Sequence, residues 1–327
     1  MSEVTVAIPV RDGGELLAGT LAALARQTVA HELLVCDSGS SDGSAELARA
    51  HGARVIEIAP ASFSHGGTRN LLMREAKGAH VALLTQDAEP VDERWLERLL
   101  GAFELAEDVG IAFGPYRPRP DASSAVRVEL ERFFGSLSPS GEPLLERLAP
   151  EQRGLPASAF LGGLGFFTDA NACIARVVWE RVPYRAVPYA EDRVLALDVL
   201  RAGYAKAFVP DAPVLHSHEY TALQELGRCF DEWRGLLEVY GWREPIAPRR
   251  VLGKLRGELS ADRAAASADG LSGAARRARL LAAGRHHALR LTGALLGSRA
   301  DRMPAPLRAG LSLERRSSFA PLDPKHP

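Results

Sequence analysis

Ala79-His80-Val81-Ala82-Leu83-Leu84-Thr85-Gln86-Asp87-Ala88 is the stretch on which the reading of this chain turns. Its mainly apolar run predicts a buried strand over 79–85, and Asp87 then falls where the chain leaves the sheet. A carboxylate in that place can hold a hard divalent cation. Around it, strand patterns at 4–9, 32–36 and 53–58 alternate with helical spacing at 15–27, 45–51 and 67–77, the first helix marked by Leu16, Leu17, Leu21 and Leu24. A helix over 92–103 and a strand over 109–113 continue the series. This alternation predicts an α/β fold, a mostly parallel sheet flanked by helices.

The Pro-rich 115–120 marks a change of organisation. Beyond it a helix is expected over 125–134, then a Ser/Pro/Gly stretch suited to a mobile loop over a site. Order returns at 166–175, with a helix over 191–202, strands over 205–209 and 214–216, and an amphipathic helix over 223–240. We expect a catalytic domain over 1–244, a basic helical extension over 245–302 and a disordered tail over 303–327.

With 327 residues, 46% of them hydrophobic, the chain can enclose one large core and an appendage. Cys36, Cys173 and Cys229 form no CxxC pair, so neither a disulfide framework nor a zinc site is suggested, and a reducing cytoplasm is the expected setting. No apolar run approaches the ~18 residues of a membrane span. The net charge of −1 conceals twelve basic against four acidic residues between Arg249 and Arg302. That segment points to an anionic surface such as a membrane, or to a solvated helical face. No nucleic-acid partner is expected.

In an open parallel sheet, ligands bind beyond the carboxyl ends of the strands. The segments there are polar: Pro9-Val10-Arg11-Asp12 after the first strand, and Asp37-Ser38-Gly39-Ser40-Ser41-Asp42-Gly43-Ser44 after the second. The latter carries turn residues and backbone N–H groups suited to a nucleotide, although alone it reads as a turn. In Ser64-His65-Gly66-Gly67-Thr68-Arg69-Asn70, Gly66 and Gly67 let backbone approach a ligand, and Arg69 can meet a diphosphate or a base carbonyl. The plain alternative is a Gly-rich turn with a surface Arg. Gln86 can bond a ribose or a metal-bound water. His216 and His218 flank Ser217, so in extended geometry both face one way.

These segments, with Thr168-Asp169-Ala170-Asn171-Ala172 and Glu191-Asp192 followed by Arg201-Ala202-Gly203-Tyr204, resemble the family 2 glycosyltransferases of the GT-A fold. Within them the resemblance is to the bacterial rhamnosyltransferase-like group, and it spans about 4–240. It implies a GT-A nucleotide-diphospho-sugar transferase fold with a C-terminal helical extension. Asp37 would accept a pyrimidine N3–H, with Pro9, Arg11, Ser38 and Arg69 around the nucleotide. Asp169 and Asn171 would line the donor sugar and acceptor. Asp87 would bind Mg²⁺ or Mn²⁺, completed by His216 in preference to His218. Asp192 would take the acceptor's proton, kept ionised by its helix N-terminus, with Glu191 orienting it.

The chain departs from the family pattern at Thr85, where an Asp is usual, and at Arg11-Asp12, where a Tyr-Asn pair is common. The implied activity is inverting, metal-dependent transfer of a hexose, most specifically L-rhamnose from dTDP-rhamnose or another dTDP- or UDP-sugar. The acceptor would be a glycan or lipid-linked hydroxyl at the inner face of the membrane. Two rival readings stand beside it. One is a sugar nucleotidyltransferase, which the first loop disfavours by lacking a Gly-rich, Arg- and Lys-bearing triphosphate grip. The other is a degenerate binding module, which the missing Asp at Thr85 favours.

Overall fold

The computed structural model describes residues 3–160, 164–187 and 189–313. The described chain separates into two compact units, one built from residues up to Arg117 with Phe134–His216, the other from 118–133 with 217–313.

In the first unit the β-branched run β1 (Val4–Val10) is followed by α1 (Gly14–Leu24), β2 (Glu32–Asp37), α2 (Ser44–Ala50), β3 (Arg54–Glu57), α3 (His65–Glu75) and β4 (His80–Leu84). Next come β5 (Glu89–Pro90), α4 (Trp95–Gly101), β6 (Val109–Phe113) and β7 (Tyr116–Arg117). The helix α5 (Ser124–Leu137) crosses the unit boundary. The first unit then resumes with β8 (Leu144–Glu146), β9 (Asn171–Ala175), α6 (Arg176–Arg181), α7 (Glu191–Arg201), β10 (Ala205–Phe208) and β11 (Val214–Leu215).

Eight strands form the main sheet in the order β3-β2-β1-β4-β9-β6-β10-β8. β1 to β4 run parallel, whereas β9 is antiparallel to both neighbours, pairing Leu84 with Asn171 and Phe113 with Ala172. This reversal matters for the site. The start of β9 lies at the edge where the parallel strands end, so 168–171 comes beside 85–87. Val6, Ile8, Val35, Ala82 and Leu84 form the sheet's core with Leu17, Leu21 and Leu24 of α1, the spacing read from the sequence.

Two expectations need correction. The 135–160 segment is not a structureless loop: Leu144–Glu146 pairs antiparallel with β10, and Glu146 takes the buried Lys206 ammonium at 2.8 Å. Lys206 also donates to the carbonyls of Phe166 (2.6 Å) and Leu164 (3.0 Å), which tie this edge to the chain leading into β9. The tail expected to be disordered from 303 begins with a helix, Ala305–Leu311, while 314–327 lie outside the described residues.

The second unit contains α8 (Ala222–Tyr240), α9 (Pro248–Ala268), α10 (Gly273–Gly297) and α11 (Ala305–Leu311). Thr221 and Gln224 form a capping box at the start of α8, and Gly241 ends it in the left-handed conformation at φ 67°. Gly293 and Gly297 allow α10 to press on α8, because a Cβ at Gly297 would stand 2.3 Å from the Phe230 carbonyl oxygen. His286 is held between Glu129 and Glu225, and Arg290 meets Glu129 at 2.7 Å. Burial opposes the charge on His286, yet the two carboxylates raise its pKa to about 9, so it stays a cation and a clamp. The compact units part at 216/217, upstream of the expected 244/245 boundary, because α8 groups with α9 and α10.

Candidate active site

The site is built at the carboxyl edge of the first unit's main sheet, with three of its loops locked to one another. Gly13 N–H donates to Ser44 Oγ, Gly14 N–H to Asp42 Oδ2 and Asp12 N–H to Ser40 Oγ, each at 2.9 Å. Ser41 N–H donates back to Asp12 Oδ1 at 2.8 Å. Asp12 holds a positive φ of 47°, a strained value for a non-glycine residue. This interlock is the role of the Arg11-Asp12 departure that sequence could not place. The Gln86 amide closes the loop from the other side, accepting from Arg11 N–H at 2.8 Å and donating to Arg11 O at 3.1 Å. Gln86 is therefore a backbone clamp, and the ribose contact expected of it is not what its geometry serves.

Asp37 ends β2 as a buried carboxylate. Its Oδ1 accepts from Gly39 N–H and Ser40 N–H, both at 2.9 Å, whereas its buried Oδ2 has no hydrogen-bond partner among the described residues. That orphaned acceptor suits an N–H donor from a ligand. Of the N–H groups in the 37–44 turn, those of Gly39, Ser40, Ser41 and Ser44 donate to Asp37, Asp12 or Asp42. Ser38 is buried, and both its N–H and its hydroxyl donate to Val10 O. Pro9 is half-buried within β1, and Arg11 is exposed.

Asp87 and His216 meet through a small second sheet, β5-β11-β7. Leu215 pairs with Glu89, and His216 N–H donates to Arg117 O at 3.0 Å, so the chain leaving β11 runs past Ala88, the residue between Asp87 and β5. Asp87 Oδ1 and His216 Nδ1 are 3.5 Å apart, both side chains largely buried. The His216 ring packs edge-on against Tyr116 with 4.7 Å between centroids. Thr85 Oγ1, where the family pattern has a carboxylate, is buried without a hydrogen-bond partner among the described residues. One carboxylate and one imidazole fit a Mn²⁺-like ion better than a site demanding only oxygen. His218 belongs to the second unit, where its ring stacks on Tyr220.

Arg69 departs most from the sequence reading. Ser64 caps α3, which starts at His65, two residues earlier than expected, and Arg69 points from its second turn into the protein. Its Nε lies 2.7 Å from Asp169 Oδ2 and its Nη1 2.9 Å from Glu191 Oε1, with a further bond to His65 O at 3.1 Å. The side chain is only 7% exposed, and its ion-pair partners are the internal carboxylates Asp169 and Glu191. Gly66 serves the same packing: a Cβ there would stand 2.9 Å from Arg185 O and 3.6 Å from Glu191 Cβ. Gly67 N–H bonds the Ser64 cap. Gly66 thus makes room for neighbouring chain, and Gly67 takes part in the cap.

Asn70, the last residue of the 64–70 motif, and Tyr184, which carried no recognisable sequence signal, complete this cluster. The Tyr184 hydroxyl donates to Asp169 Oδ1 at 2.7 Å. Asn70 accepts from Trp179 Nε1 and Tyr184 N–H and donates to Tyr184 O, which fixes that loop. The polar face of α3 in Arg69-Asn70 was the only hint. Asp192, in the first turn of α7, is partly buried and close enough to the cluster to feel it. Burial, then the Glu191 and Asp169 charges, raise its pKa to about 8, which reverses the expectation that the helix N-terminus keeps it ionised. Burial also raises Asp169 despite Arg69, and Arg69 stays charged because its two carboxylates outweigh its burial.

Asn171, expected to line the donor and acceptor, uses its side-chain amide on internal partners. It is fully enclosed; its Oδ1 accepts from Trp95 Nε1 at 2.8 Å, and its Nδ2 donates to Ala212 O (2.9 Å) and Pro115 O (3.2 Å). It is the bracket that holds β9 to the loops beside it.

Residues 5–160 match the family model described as glycosyl transferase family 2. The chain is 30% identical over 204 residues to the O-antigen chain rhamnosyltransferase WbaN of Salmonella anatum, covering 61% of each protein. To RfbN of Salmonella typhimurium strain LT2, also an O-antigen chain rhamnosyltransferase, it is 31% identical over 235 residues, 70% of this chain and 71% of that one. Among solved structures, the mannosyltransferase PcManGT of Pyrobaculum calidifontis, in complex with GDP-Man and Mn²⁺, superposes with a TM-score of 0.57 at 19% identity. The match covers 92% of this chain and 86% of that chain, and it shows the GT-A fold.

The bracket makes a prediction. Asn171→Ala leaves the Trp95 donor and two carbonyl oxygens unsatisfied and should destabilise the fold by roughly 3 kcal/mol in denaturant unfolding. Unchanged stability with weakened donor binding would return Asn171 to the ligand.

Proposed function

Because the chain belongs to glycosyl transferase family 2, we propose that it is an inverting, metal-assisted glycosyltransferase that moves a sugar from a nucleotide-diphosphate donor to an acceptor hydroxyl. Its likeness to two O-antigen rhamnosyltransferases supports L-rhamnose from dTDP-rhamnose as the donor and a growing glycan as the acceptor. The observation that carries the reading is the Asp87–His216 pair at the carboxyl edge of the strand that precedes Asp87. Asp37 Oδ2, the orphaned buried acceptor, suits the N3–H that thymine and uracil both present.

Asp192 is the base. It accepts the acceptor hydroxyl's proton as that oxygen bonds the anomeric carbon, while the bond from that carbon to the diphosphate oxygen breaks with its electron pair. Direct displacement inverts the anomeric centre and needs no covalent enzyme intermediate. Glu191 cannot share the task, because Arg69 holds its carboxylate. Asp87 with His216 would hold a divalent cation, Mn²⁺ or Mg²⁺, which when bound would neutralise the charge of the departing diphosphate. A nucleotidyltransferase is disfavoured by family membership and by a first loop whose single cation is Arg11.

The second unit supports docking at the inner face of a membrane. Arg249, Arg256 and Arg263 are exposed and recur every seven residues, hence on one face of α9, with Leu252 half exposed among them. Among the described residues, no helix is long and apolar enough to cross a membrane. Each cation near an anionic lipid surface contributes about 1 kcal/mol.

Asp192→Asn should lower kcat by ~10² to 10⁴ while leaving nucleoside diphosphate affinity in Mn²⁺ unchanged. Asp87→Ala should abolish the Mn²⁺-dependent part of that affinity, as a chelator does. Near-normal turnover in Asp192→Asn, or chelator-insensitive binding, would contradict the assignments, and metal-dependent binding with no turnover of any donor would favour a binding module. For docking, the full chain should sediment with phosphatidylglycerol vesicles at low salt, and a triple Arg249→Glu, Arg256→Glu, Arg263→Glu variant should not. A full-length chain that stays in the supernatant would remove the membrane from the account.

A further inference from the structure

The Arg69 cluster has a geometry that nucleotide binding does not explain. Four segments of the first unit converge on one guanidinium: its own helix α3, the chain entering β9 through Asp169, the first turn of α7 through Glu191, and Tyr184 through Asp169. Glu191 and Asp192 are neighbours in that first turn. The residue before them, Ala190, holds a left-handed conformation at φ 61° and ψ 33°, which an alanine adopts only when its surroundings enforce it. The Arg69–Glu191 ion pair is a tether suited to that task, because it anchors the residue that follows the strained one.

We infer that Arg69 and Asp169 are positioning residues for Asp192: through Glu191 they fix the first turn of α7 and the local charge against which Asp192 takes the acceptor's proton. The inference rests on Asp192 being the base. Three carboxyl groups, Asp169, Glu191 and Asp192, share this pocket, and the cations that face them are Arg69 and Arg193. The Arg193 guanidinium lies 5.2 Å from the centre of the Phe166 ring. His65 and Tyr184 are the remaining titratable groups that Asp169 feels. Asp169 and Glu191 already answer Arg69, so Asp192 is the third carboxyl beside a single shared guanidinium. The direction of its shift, upward through burial and then through Glu191 and Asp169, agrees with the geometry.

The two variants should act oppositely on the pH dependence. Asp169→Asn is isosteric and still accepts from Tyr184, but it removes a negative charge, so the acid limb of kcat/KM should move down by about one pH unit. Arg69→Met removes the positive charge and should move the limb up. Arg69→Lys keeps the charge but loses the planar fork that reaches both carboxylates, so kcat should fall with the limb nearly unmoved. In all three, nucleoside diphosphate affinity in Mn²⁺, measured calorimetrically on the full chain, should stay within about twofold of wild type, a range well inside one tenfold step of binding free energy.

Each outcome bears on one claim. An acid limb that stays in place in Asp169→Asn, while Asp192→Asn abolishes transfer, would overturn the inference and leave the base intact. Weakened nucleotide affinity in Asp169→Asn or Arg69→Lys, with the limb in place, would assign the cluster to the donor pocket. Transfer that survives in Asp192→Asn would instead remove the base assignment on which the inference stands.

Discussion

Arg69 can lie inside the first unit only because Asp169 and Glu191 reach it from two other segments, and that requirement organises the catalytic edge. A buried guanidinium without partners would be several kcal/mol too costly to keep, and each carboxylate would be equally costly alone. The ion pairs therefore require α3, the approach to β9 and the start of α7 to arrive together. Such clusters are weak evidence for net stability but strong evidence for a specified arrangement. Here the arrangement brings Asp192, the enclosed Glu191 and the strained Ala190 into adjoining positions. Asn70 and Gly66 extend the same demand, one by clamping the Tyr184 loop and the other by making room for Arg185 and Glu191.

The sheet supplies the second constraint. Parallel strands end at a common edge, and the antiparallel β9 delivers its beginning to that edge, so residues distant in sequence become neighbours there. The small β5-β11-β7 sheet does the same for Asp87 and His216, since the Leu215–Glu89 pairing carries His216 past Ala88 to within 3.5 Å of Asp87. A one-residue slip in that short ladder would turn His216 to the opposite face. Two side chains that the sequence reading assigned to a ligand also hold this scaffold: Gln86 braces the first loop and Asn171 braces β9.

Much of the fold was legible because its signals are local. The apolar runs at 4–9, 32–36 and 109–113 and the leucine spacing of α1 needed no tertiary information, and the observed elements agree within a few residues. Asp87 at a strand end was legible for the same reason. The direction of Arg69 was not, because Ser64-His65-Gly66-Gly67-Thr68-Arg69-Asn70 names a residue type while its partners lie about 100 and 122 residues downstream. Tyr184 sits in a stretch without any motif, so only the assembled pocket reveals it. The grouping of α8 with α9 and α10 depended on paired glycines of α10 meeting α8, a relation between helices that spacing within one helix cannot express.

The central claim is that Asp192 assists a single displacement at the anomeric carbon, and its most direct test is the stereochemistry of the product. Proton NMR of the transfer reaction, followed from the first minutes at the anomeric signal of donor and product, reports this before any mutarotation. The account predicts a product anomer opposite in configuration to the donor. A product that retains the donor's configuration would require two displacements or a different attacking group, and would contradict the role given to Asp192.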